Sequence, residues 1–106
     1  MCHVTRHGEQ RVIERLGLKK KSVQRMAERA LDKGIRHSDT KSSLNRYLTK
    51  IYLNYEKANN IRIYGQGIYI FNDEILLTVY DLPNKYKDIG KYLKNSWQIN
   101  KSMLLY

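Results

Sequence analysis

The chain has 106 residues and carries 20 Lys and Arg against 10 Asp and Glu, a formal net charge of +10. That length leaves room for one hydrophobic core, so a single domain over 1–106 is expected. An apolar share of 42% excludes a disordered chain, and the lack of any run of about 20 apolar residues argues against a membrane span.

In chain order, the segment 5–57 reads as helical. Thr5 can cap a helix that runs to Leu16, with Val12, Ile13 and Leu16 as its apolar stripe and Gly17 as its stop. Ser22 opens a second helix. Its apolar residues Val23, Met26, Ala27, Ala30 and Leu31 fall at i, i+3, i+4, i+7 and i+8, and Gly34 follows as a stop. A third helix over 42–57 would bury Leu44, Leu48, Ile51, Tyr52 and Tyr55. The period then becomes alternating. Segments 60–64, 67–71 and 75–80 read as strands joined by Gly65-Gln66-Gly67 and Asn72-Asp73, an antiparallel meander over 60–82 that Pro83 closes. In the C-terminal extension, 84–106, a short helix over 86–94 and a last strand or docked tail over 97–106 are expected. Helices followed by a meander make an α+β domain.

Cys2 is the only cysteine, which rules out an intrachain disulfide or a cysteine metal cluster and fits a reducing compartment. It reads as an inert thiol on a frayed terminus. The N-terminal MCHVTRHGEQR lacks the apolar stretch of a signal peptide, so a cytoplasmic location is expected. No GxxxxGK[ST] loop, HExxH spacing or clustered carboxylate pair occurs, so neither a nucleotide cofactor nor a bound metal is expected. Frequent Lys, Asn, Ile and Tyr point to an AT-rich coding sequence of bacterial or phage type.

Charge of this sign and density suggests a polyanion as partner, RNA first among nucleic acids. On the first helix His7, Arg11 and Arg15 are spaced by four, so they form a slowly drifting row opposite the apolar stripe. An imidazole that titrates near neutrality beside fixed guanidinium groups suits proton transfer at a phosphate; the plainer reading is a solvated basic face. On the sheet, alternation places Ile61, Ile63, Ile68, Ile70, Leu77 and Val79 on a core face under the helices. The other face then carries Arg62, Tyr64, Tyr69, Phe71, Thr78 and Tyr80. Tyr69 and Tyr80 suit base stacking, while Arg62, Tyr64 and Thr78 suit phosphate and sugar. Alternatively, the C-terminal tail covers those rings as a second small core. Lys19, Lys20 and Lys21, with Arg25 and Arg29, form an electrostatic approach surface. His37, in the loop after the second helix, is a secondary catalytic candidate.

The helix bearing His7 and Glu14-Arg15, followed by strands Ile68-Tyr69-Ile70-Phe71 and Thr78-Val79-Tyr80, resembles the barnase–EndoU–colicin–RelE class of small metal-independent ribonucleases. The resemblance spans about Thr5 to Pro83, and the segment after Pro83 has no counterpart in it. It implies RNA cleavage without a metal, of toxin type. The reading of the residues adds 2′-hydroxyl attack on the adjacent phosphorus, with His7, Arg11, Arg15 and Thr78 as the catalytic set and a neutralising or target protein as a further partner. The alternative is a non-catalytic, phage-encoded inhibitor that binds a nucleic-acid-handling host defence complex. A DNA-binding regulator ranks behind both, because the connection from Lys19 to Ser22 lacks the glycine-containing turn of a helix-turn-helix.

Overall fold

Thr5 caps the first helix, α1 (Arg6–Leu16): its hydroxyl accepts the Gly8 amide at 2.9 Å, satisfying one of the N–H groups a helix start leaves unpaired. Gly17 closes the helix in the left-handed region at φ 68°, where a side chain would be strained. The second helix, α2 (Lys20–Lys33), begins ahead of Ser22 and has no side-chain cap. The third, α3 (Ser42–Asn54), starts where expected and stops short of Lys57. The structure, a computed structural model, describes residues 2–94. The strand or tail expected over 97–106 lies outside them.

The alternating segments form the meander of β3 (Asn60–Tyr64), β4 (Gly67–Asn72) and β5 (Ile75–Asp81). Two short strands widen it. β1 (His3–Val4) pairs parallel to β5, and β2 (Ile35–Arg36) pairs antiparallel to β3, giving the order β1-β5-β4-β3-β2. Three helices and this mixed five-stranded sheet make an α+β fold. In place of the helix expected over 86–94, two 3₁₀ turns occur, Asn84–Tyr86 and Ile89–Tyr92.

Helices cover both faces of the sheet, which corrects the expected single core face. The Ile61, Ile63, Ile68 and Ile70 face packs against Leu44 and Leu48 of α3 and against Leu82 and Tyr86. The Tyr69 and Phe71 face packs against Val12 of α1 and Val23, Ala27 and Ala30 of α2. The physical reason is that α1/α2 and α3 each carry an apolar stripe, and β4 is apolar on both sides. The aromatic face is therefore a second core, covered by α1 and α2.

A bulge corrects the reading of β5. Ile70 pairs with Thr78 but Phe71 pairs with Leu76, so Leu77 is the extra residue and the alternation reverses past it. Val79 consequently joins Tyr69 and Phe71 under α1, while Thr78 and Tyr80 point to the isoleucine face.

Helix α1 is strapped to β5 at both ends. The Thr5 hydroxyl donates to the Leu76 carbonyl at 2.9 Å, and Gly8 comes so close that a Cβ there would sit 2.7 Å from the same oxygen. At the other end Arg15 donates to the Val79 carbonyl at 2.8 Å, on the edge that β1 pairs only at Ile75 and Leu76. Cys2 is packed, not frayed: it is buried in the α1/α2 core, Gln24 donates to its carbonyl at 2.7 Å, and burial, the largest influence, pushes its thiol up to about 11. Among the described residues no helix is long and apolar enough to cross a membrane.

Candidate functional site

The row on α1 does not converge with Thr78. His7 and Arg11 lie on the outer side of the helix, where Arg11 Nε donates to His7 Nε2 at 3.4 Å and Arg11 also pairs with Glu14 at 2.9 Å. Arg15 leaves the row to hold Val79, with its guanidinium 4.8 Å above the Tyr80 ring. Thr78, only 2% exposed, lies on the opposite face of the sheet from α1. These four side chains are not one constellation, because fourfold spacing aligns residues on a helix but says nothing about what packs beside them.

The proposed base platform is dispersed too. Tyr69 is 1% exposed, and burial pushes its phenol up to about 12. Tyr64 packs against the same core, while Tyr80 faces the other one and already carries Arg15 on its ring. A ring enclosed by helices has no face to offer a base. Lys19, Lys20, Lys21, Arg25 and Arg29 are exposed along α2, whose first turn holds no acidic residue.

A different cluster does come together. Strand β2 stops at Arg36, and where its pairing with β3 ends a cleft of about 450 Å³ opens. His37, Asn45, Tyr52, Asn59, Asn60 and Arg36 line it. His37 is half-buried and oriented. Its Nε2 is hydrogen-bonded to the Thr49 hydroxyl at 3.0 Å, and that hydroxyl also reaches the Asn45 carbonyl at 2.8 Å. Asn45 fixes the backbone beneath, donating to the carbonyls of His37 and Thr40, both at 3.2 Å. The Tyr52 ring lies 6.4 Å from the imidazole.

Arg36 lines this cleft; Arg62 does not, and it reaches the lining only through Asn60. Arg36 and Arg62 are directly opposite in the β2–β3 register, so their side chains share one face. Arg62 donates to Asn60 Oδ1 at 3.0 Å and to the Gly34 carbonyl at 3.4 Å. Burial, and after it the like charge of Arg36, pulls the Arg62 guanidinium below its ordinary value, with Asp39 and Asp32 opposing. Among the described residues neither guanidinium has a carboxylate within ion-pair distance.

The signal for this cleft was in α3. Asn45, Thr49 and Tyr52 fall at i, i+4 and i+7, a polar stripe beside the buried Leu44 and Leu48. Tyr52, expected in the core, is 42% exposed and belongs to that stripe. No protein family, curated protein or solved structure matches the chain.

Proposed function

We propose that the protein is a basic RNA-binding domain that cleaves RNA without a metal ion, of the toxin type its sequence resembles, and that the His37 cleft is where cleavage occurs. The observation that carries this reading is an imidazole oriented by Thr49 and Asn45 in an open polar cleft beside Arg36. The His37 imidazole takes the proton of a ribose 2′-hydroxyl as O2′ attacks the adjacent phosphorus. The bond from phosphorus to O5′ breaks, leaving a 2′,3′-cyclic phosphate, and the departing oxygen takes a proton from the Tyr52 phenol or from water. Arg36, which lines the cleft, offsets the charge that builds on the phosphoryl oxygens. The exposed cations of α2 supply electrostatic attraction along the strand.

One observation favours the alternative of a non-catalytic binder that blocks a nucleic-acid-handling complex: the aromatic face is closed, so binding rests on exposed charge. Incubation with matched RNA and DNA oligonucleotides in EDTA from pH 5 to 9 separates the two. Cleavage of RNA alone, with cyclic phosphate ends, supports the ribonuclease. Intact RNA throughout removes it and leaves the binder.

A further inference from the structure

A second stripe on α3 faces another surface. Arg46, Lys50 and Leu53 fall at i, i+4 and i+7, and with Tyr47, Lys85 and Tyr86 they line a groove of about 540 Å³ between α3 and the 3₁₀ turn Asn84–Tyr86. We propose that this groove docks an acidic peptide segment of a partner protein through an aliphatic anchor.

Charge complementarity selects the acidic character. The lining holds three cations and no acidic residue, and among the described residues none of the three makes an ion pair. The groove is also apolar: Leu53 is 73% exposed at its rim, and Tyr47 and Tyr86 form its wall. A site that joins an apolar anchor point to a cationic rim is the usual arrangement for holding a peptide segment, the anchor giving affinity and the rim giving orientation. A nucleobase fits less well, because the Tyr86 ring is occupied already. Lys85 Nζ lies 5.0 Å over it, Tyr92 meets it edge-on at 5.0 Å, and Tyr47 is tilted against it at 5.6 Å. Aliphatic branches can pack on Leu53 and the tyrosine edges without needing a free ring face. Thr49, which orients His37, also lines the groove, so the two surfaces share one hydroxyl. The docking surface is nonetheless independent of RNA cleavage.

The test uses the whole chain and a short fluorescent peptide of Asp and Glu with two leucines one helical turn apart, beside a peptide in which serines replace the leucines. The leucine peptide should bind about tenfold tighter than its serine counterpart. Leu53→Ser and the double variant Arg46→Glu with Lys50→Glu should each weaken it about tenfold, whereas His37→Ala should not. All three substituted groove positions are exposed, and circular dichroism verifies that the variants fold. Absent binding of the leucine peptide, equal affinity for the serine peptide, or unchanged affinity in Leu53→Ser would each overturn the proposal. So would an equal loss of oligouridine binding in Leu53→Ser, which would make the groove a nucleic-acid surface.

Discussion

His7 and His37 offer the same functional group in opposite settings. His7 stands exposed on α1, and the guanidinium beside it is committed to Glu14. His37 is half-buried, its ring held by Thr49, its backbone pinned by Asn45, and its cleft bordered by Arg36. The difference teaches that a helical repeat brings side chains to one face, whereas catalysis needs a group held by several elements at once. On α1 the repeat serves attachment: Thr5 and Arg15 fasten the helix to β5.

The largest expected effect breaks the comparison outright if it fails. His37→Ala should lower RNA cleavage by about 100-fold to 10,000-fold, the range for a lost proton-transfer group, while His7→Ala changes it by less than about tenfold. Initial rates per folded molecule decide, and the reverse order would restore the α1 row as the site.

Two tyrosines extend the contrast to stability. Tyr69→Ala should cost about 3–5 kcal/mol in denaturant unfolding, because its ring fills the α1/α2 core. Tyr52→Ala, on the open cleft, should stay within about 0.5 kcal/mol. RNA affinity per folded molecule should survive the first substitution; its loss would reopen the sheet face as a binding surface.

Alkaline titration probes the same core. Folding raises the Tyr69 phenol from 10.0 to about 12 and the Cys2 thiol from 9.0 to about 11. Between those values the folded state keeps protons that the unfolded chain has released. Stability from these groups is therefore full below pH 9 and is lost as pH rises through 11 and 12, at up to about 1.4 kcal/mol per pH unit for each group. Denaturant midpoints against pH should show this decline, and Tyr69→Phe should remove the upper part of it. An unchanged slope in that variant would refute the burial of the phenol.

The smallest effect separates the two arginines of the α1 row. Arg15→Ala should destabilise by about 1–3 kcal/mol, since it frees the Val79 carbonyl and uncovers Tyr80. Arg11→Ala, which breaks an exposed pair with Glu14, should fall within about 1 kcal/mol. Equal losses would mean that Arg15 is not a structural strap.

What could be read from the sequence was the local part. Thr5 and Gly17 bound α1 by capping chemistry, and alternation located β3, β4 and β5 because each strand is long enough to show a period. The two-residue strands β1 and β2 show none, and they exist only because β5 and β3 offer open edges. Leu77 departs from the alternation because a bulge is a property of two paired strands, not of one. In the same way, the stripe of Asn45, Thr49 and Tyr52 was visible, but that His37 folds back onto it depends on the turn after β2. That turn is held by the Thr40 hydroxyl donating to the His37 carbonyl at 2.7 Å and by the Lys94 backbone amide donating to the Asp39 carbonyl at 2.9 Å.

The most direct measurement is an NMR titration of the imidazole resonances with an RNA oligonucleotide whose 2′-hydroxyls are methylated and therefore cannot attack. The His37 ring signals should shift and saturate with the same Kd as overall binding, while those of His7 hold their positions. Saturating shifts at His7 with His37 unmoved would contradict a site in the cleft and return it to α1.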